Sequence, residues 1–184
     1  HDTLTSSLSS LVYLLGAHPD WQEKLRAEAE SFPTLSFTQL NEMELTEMAL
    51  RETLRLYPPV ASIPRRTLRD FHYDGYDIPA GTYLAISPLQ VHRQAEHWPD
   101  PERFDPLRFT PEQIAQRHKY AWVPFGGGAH MCLGLHFAVM QVRAMLHQLL
   151  PQREIILQPG YDPHFRFLPI PRPRDKLPLT LRRR

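Results

Sequence analysis

The chain has 184 residues, with 21 basic and 20 acidic side chains for a formal net charge of +1, and 42% of it is hydrophobic. Enough apolar residues are present to build a core, which excludes a disordered chain, and the balanced charge gives no footprint for nucleic acid or an acidic partner. Nineteen prolines against eight glycines imply long, turn-rich connections between helices.

In chain order, Leu4, Leu8, Leu11, Val12 and Leu15 recur at helical spacing and predict a helix over residues 2–17, ended by Gly16 and Pro19. The apolar periodicity begins almost at His1, so the sequence reads as entering inside an element. A second helix starts at Pro19, a residue suited to a first turn, and Pro33 closes that region. Asn41 is the expected cap of a third helix, with Glu44 in the capping-box position, running to Leu56 or Tyr57 and stopped by Pro58-Pro59. Strands are expected at Arg65–Tyr73 and Tyr76–Ile86 around the hairpin signal Asp74-Gly75, with a further turn at Pro79-Ala80-Gly81. Short helices are expected at Pro88–His92 and Pro111–Gln116 within an otherwise irregular stretch. A glycine-rich loop at Phe125–Gly128 precedes a long helix over Gly134–Leu150, and the tail reads as short strands. The fold class is therefore mainly α with small β-sheets. No apolar run approaches the ~20 residues of a membrane helix, and no signal-peptide pattern is present. A cytoplasmic location, or the cytoplasmic face of a membrane, is expected.

Cys132 is the single cysteine, so no internal disulfide forms, which fits a reducing compartment. A lone cysteine is most often a buried apolar filler, but its setting here is Phe125-Gly-Gly-Gly-Ala-His-Met-Cys-Leu-Gly134. Three glycines let the backbone turn sharply, and a helix start just beyond Cys132 favours a thiolate. A phosphate-binding turn lacks the Gly-Lys-Ser/Thr ending. A nucleophilic cysteine with His130 as base and an axial haem thiolate both stay open on local pattern. The other histidines show no metal-ligand spacing, and His92…Glu96 is a poor zinc motif.

Glu52 and Arg55 stand three apart on the third helix. Surface pairs of this kind are common and weak, yet Leu45, Met48, Ala49, Glu52 and Leu56 share one stripe, which places Glu52 on an apolar face where a charge requires a partner.

The loop resembles the haem-binding signature of the cytochrome P450 family, Phe-x-x-Gly-x-Arg/His-x-Cys-x-Gly, with Phe125, Gly128, His130, Cys132 and Gly134 in the fixed positions. Glu52-x-x-Arg55 matches the family's K-helix motif, Pro101-Glu102-Arg103-Phe104 its later arginine segment, and Asp2-Thr3 the end of its I-helix motif. The order agrees along nearly the whole chain. The resemblance implies that residues 1–184 are the C-terminal part of a single P450 domain, from the second half of the I helix onward. It implies haem b as cofactor, with Cys132 as the axial metal ligand, Phe125 and Gly126 against the cofactor, and Arg65 and His130 toward the propionates, with Arg66 and Arg69 as adjacent alternatives. It further implies a structural triad of Glu52, Arg55 and Arg103, and Asp2 and Thr3 as proton-handling catalytic groups.

The activity implied is that of a haem-thiolate monooxygenase. It would hydroxylate a hydrophobic small molecule with O2 and two electrons from a ferredoxin or flavoprotein reductase, which basic Arg117 and Lys119 could face. Val60–Pro64 and Phe165–Leu168 are the substrate-contact candidates. The rivals are a non-catalytic remnant or half of a split enzyme acting through a partner, and a haem-thiolate peroxygenase, against which Asp2-Thr3 argues.

Overall fold

The computed structural model describes residues 1–34 and 36–184. Seven α-helices and eight short strands are present among them. They are α1 (Asp2–Ala17), α2 (Pro19–Glu30), α3 (Phe37–Asn41), α4 (Glu44–Leu56), α5 (Pro88–Val91), α6 (Pro111–Gln116) and α7 (Leu135–Leu149), with β1 (Ile63–Arg66), β2 (Phe71–Tyr73), β3 (Tyr76–Ile78), β4 (Tyr83–Ile86), β5 (Arg153–Leu157), β6 (Phe165–Arg166), β7 (Arg172–Pro173) and β8 (Leu179–Arg183). The strands form four two-stranded antiparallel sheets, β1–β4, β2–β3, β5–β8 and β6–β7. The helices carry the core, as the periodicity predicts. Leu11, Leu14 and Leu15 of α1, Leu25 of α2, Leu50, Leu54 and Leu56 of α4, and Val142 and Leu146 of α7 close on one another in a single apolar cluster. Each such side chain contributes roughly 1.5–3 kcal/mol of transfer free energy on burial.

Three local details differ from the sequence reading. Asn41 does not cap α4 but ends the short helix α3, whose own start is a capping box between Ser36 and Gln39. The first amides of α4 are taken instead by the carboxylate of Glu28 on α2, which accepts from Leu45 N–H at 2.6 Å and from Thr46 N–H at 2.9 Å, and from the Thr46 hydroxyl at 2.6 Å. An acid at that dipole end is favoured, and reaching it from another helix also fixes the α2–α4 angle. Gly16 lies inside α1, which runs on to Ala17; a Cβ there would stand 2.8 Å from Leu157 Cγ, so glycine lets α1 lie close on β5. The first expected strand is split into β1 and β2, and the second divides into β3 and β4 at the expected turn around Gly81. β2 and β3 pair around Asp74 and Gly75, both at positive φ, while β1 and β4 pair below them, separated by the turn at Gly81.

Candidate functional site: the cysteine loop and its frame

The cysteine loop lines a cavity of about 870 Å³ whose walls come from four places. Thr3, Leu4 and Leu8 of α1 form one side, Leu50 and Leu54 of α4 the floor, Val60, Ile63 and Arg65 the strand side, and Phe137 and Val142 of α7 the rest, with Phe125, Gly126, His130 and Cys132 entering from the loop. The walls are mostly apolar, with polar groups confined to a few positions, the form of a small-molecule or cofactor site.

Cys132 is exposed and free. Its amide donates to the Phe125 carbonyl at 3.0 Å, which closes the loop on itself. Gly126 (φ 73°) and Gly128 (φ 63°) occupy the left-handed region that a side chain disfavours, whereas Gly127 is extended. The loop ends in a 3-10 turn, Gly128–His130, and α7 begins with Gly134 as its N-cap, two residues beyond the cysteine. A Cβ on Gly134 would make an ordinary 3.8 Å contact with the Cys132 sulfur, so packing among the protein's own atoms does not require glycine there.

The loop is held from behind at three successive residues. Trp98 Nε1–H donates to the Ala121 carbonyl at 3.2 Å, Trp122 Nε1–H donates to the Arg51 carbonyl at 3.2 Å, and Val123 N–H donates to His92 Nε2 at 2.8 Å. Trp98 and His92 are fully buried.

That clamp is in turn built on Glu52 and Arg55, both 0% exposed. Arg55 uses every N–H of its guanidinium. Nε and Nη2 donate to the two oxygens of Glu52 at 2.6 and 2.8 Å, Nη1 donates to the carbonyls of His92 at 3.0 Å and Pro101 at 2.6 Å, and Nη2 donates also to the carbonyl of Arg103 at 3.1 Å. Glu52 accepts in addition the amide of Asp105 at 2.9 Å. Burial pushes the Glu52 carboxyl above its ordinary pKa, against the opposing pull of Arg55, the Asp105 amide and Arg108. Burial likewise pushes His92 down, to about 3, with the charges of Arg55 and Arg93 adding to the effect, so its ring is neutral at pH 7.

The expected third member is displaced. Arg103 contributes its carbonyl, while its guanidinium is 68% exposed and 3.8 Å from Asp105. The cation beside Glu52 is Arg108, with Nε 3.5 Å from the carboxylate and only 11% of its side chain exposed. Arg103 sits where the chain turns outward, so only its main chain faces the pair. Pro106-Leu107-Arg108-Phe109 repeats the Pro-x-Arg-Phe pattern of residues 101–104, the sequence signal that could have identified it.

Other expectations fall on both sides. Thr3 lines the cavity, but Asp2 does not; its carboxylate is 82% exposed and 3.3 Å from His1 Nδ1. Arg65 lines the cavity, whereas Arg66 lies over the Tyr83 ring and donates to the Gly81 carbonyl. Val60 and Ile63 line it too, but Phe165 and Phe167 do not. They stack on Tyr57, Phe165 at 4.2 Å between centroids, and help line a separate surface groove. Arg117 is folded onto Trp98, 3.9 Å from its ring, and donates to the Arg108 carbonyl, so of the two basic residues only Lys119 is exposed.

Among the described residues no cluster of three or more His, Cys, Asp or Glu side chains could hold a bare metal ion. A flat macrocycle that brings its own four iron ligands, and asks the protein for one further donor, matches what is present: an exposed thiol, an apolar-walled cavity and two side chains able to donate hydrogen bonds to carboxylates, Arg65 and His130, on its lining. Among the described residues no helix is long and apolar enough to cross a membrane.

Comparison with known proteins agrees with this arrangement. The family model "Cytochrome P450" matches residues 1–178. Cytochrome P450 136 of Mycobacterium tuberculosis is 39% identical over 188 residues, covering 100% of this chain and 38% of that protein. Cytochrome P450 120 of Synechocystis is 38% identical over 185 residues, covering 98% of this chain and 42% of that protein. The solved structure of retinoic acid-bound cyanobacterial CYP120A1 superposes with a TM-score of 0.93 at 37% identity, covering 100% of this chain and 43% of that one. The chain thus spans about two fifths of the length of the relatives it matches.

Proposed function

The chain belongs to the cytochrome P450 family, and from that premise we propose that residues 1–184 are the haem-ligating C-terminal part of a single-domain haem-thiolate monooxygenase. The observation that carries the reading is Cys132, exposed at the wall of an apolar cavity with its amide locked to Phe125. Bound haem would supply activation of O2 and insertion of one oxygen atom into a C–H bond, with two electrons from a ferredoxin or flavoprotein reductase.

The chain's own residues do the rest. Cys132, exposed on the cavity wall, would supply the thiolate that ligates the iron. Arg65 and His130 are the groups on the cavity wall suited to two carboxylates, Arg65 through a guanidinium of which one Nη1–H is given to the Pro64 carbonyl. Thr3 lines the same space, and its hydroxyl would hold or pass a proton there. Asp2, outside the cavity, would serve only in relay from solvent. Leu4, Leu8, Val60 and Ile63 exclude water and favour an apolar substrate. The retinoic acid in the cyanobacterial relative is a long apolar carboxylate, which supports a substrate of that general class.

A second reading is favoured by Leu133 at 102% and Phe137 at 59% exposure, both beside the cysteine. Apolar surface of this kind asks for cover, as in half of a split enzyme that acts through a partner.

Haem loading, reduction and addition of carbon monoxide test both. A strongly red-shifted Soret band that vanishes in Cys132→Ala is expected. The same band in the variant refutes thiolate ligation, and haem uptake only when a further segment is supplied selects the second reading. Turnover with reductant and O2, against peroxide alone, separates monooxygenase from peroxygenase.

A further inference from the structure

Resting on the haem-thiolate reading above, we propose that His92 is a positioning residue for Cys132, acting through the main chain of Val123. His92 caps the C-terminus of α5 and is fully buried. Its Nε2 accepts the Val123 N–H at 2.8 Å, which requires a neutral ring with its proton on Nδ1, an assignment made from the donor it faces. From Val123 the bonds continue forward. The Val123 carbonyl accepts from Gly126 N–H at 3.1 Å, and the carbonyl of Phe125, between them, accepts from Cys132 N–H at 3.0 Å. The imidazole therefore sets where the loop starts, and the loop's internal bonds carry that position to the sulfur.

This geometry is more than core filling. An apolar residue of similar volume would satisfy packing, but would leave the Val123 amide without its acceptor. The other ring nitrogen has no well-formed hydrogen bond among the described residues, although the main-chain oxygens of Arg55 and Leu54 favour a proton there. The charged groups facing the ring are Arg55 from α4 and Arg93 from its own segment. Residues 121–125, Ala-Trp-Val-Pro-Phe, bring no titratable group. Burial together with those two guanidinium groups holds His92 near 3, against about 6.5 for an unfolded histidine. A second proton would point an N–H at the Val123 N–H, and two donors cannot share that bond. Because the folded pKa is depressed, the unfolded chain binds more protons between the two values, and the clamp loses stability as pH falls through that window.

The test compares haem-loaded parent protein with His92→Gln, His92→Asn and His92→Leu. A glutamine oxygen reaches the place of Nε2; an asparagine oxygen reaches only that of Nδ1. The readouts are the thiolate-specific Soret band of the reduced carbon monoxide form, its rate of loss between pH 7 and 5, and hydrogen exchange at the Val123 amide. His92→Gln is expected to keep the band and the Val123 protection within about threefold of the parent, and to flatten the acid-induced loss between pH 6.5 and 5. His92→Leu and His92→Asn are expected to lose the band and exchange Val123 about tenfold faster, the ratio for one hydrogen bond of ordinary net strength. Parent-like behaviour of His92→Leu overturns the proposal, as does a glutamine variant no better than asparagine or one that keeps the parent's pH profile. If His92→Leu does not fold, the glutamine–asparagine pair decides. Failure of the haem-thiolate reading itself would show separately, as a band that survives Cys132→Ala, while Val123 exchange still reports the His92 contact.

Discussion

Replacing Arg55 with lysine keeps the positive charge beside Glu52 and removes the fork. Arg55 makes five hydrogen bonds, two to Glu52 and three to the carbonyls of His92, Pro101 and Arg103. A lysine ammonium has three donors, from one point, so at least two acceptors are left bare. Each buried acceptor without a partner costs about 1–3 kcal/mol, so Arg55→Lys should destabilise the fold by about 2–6 kcal/mol. That is a large part of a domain's whole ~5–15 kcal/mol. Urea unfolding of the haem-loaded protein, followed by circular dichroism and by haem content, measures it. A variant within 0.5 kcal/mol of the parent would refute the reasoning, because charge alone would then suffice and the carbonyl contacts would be incidental.

Two further outcomes follow from the same geometry. Arg103→Ala, at an exposed guanidinium, should change stability by less than about 1 kcal/mol, whereas Arg108→Ala, which bares one side of the buried Glu52 carboxylate, should cost about 2–4 kcal/mol and reduce haem retention; the reverse order in a paired denaturation experiment would restore Arg103 as the third member. Gly16→Ala adds a methyl 2.8 Å from Leu157 Cγ. Despite alanine's better helix propensity it should lower stability by about 1–2 kcal/mol, seen as a lower Tm, since overpacking costs about 1–3 and the propensity gain is at most about 1.

The legible parts of this protein are those whose physics is local. α1, α6 and α7 could be placed from periodicity and proline because each helix carries its own apolar face or its own first-turn proline. The cysteine loop could be read because glycines, cysteine and helix start fall within ten residues. Arg108 was hidden by a near-repeat: two Pro-x-Arg-Phe segments stand five residues apart, and only the direction of the chain at each decides which guanidinium turns inward. Glu28 was invisible as a cap because it serves a helix that starts 16 residues later. His92 looked like a failed metal ligand; its partner is a backbone amide 31 residues away, which no side-chain pattern encodes. Asp2 lies outside the cavity for a geometric reason. Its neighbour Thr3 faces the cavity, and adjacent helical residues point about 100° apart.

The clamp behind the loop also orders events during synthesis. Arg51, Arg55, His92 and Trp98, the groups that fix residues 121–123, all precede Cys132 in the chain. At ~5–20 residues per second, the stretch from His92 to Cys132 takes roughly 2–8 s to emerge, far longer than the microseconds in which a helix or hairpin forms. The residues of the seat are thus made before the thiolate that occupies it, whereas the core behind them is completed only when α7 and β5 follow.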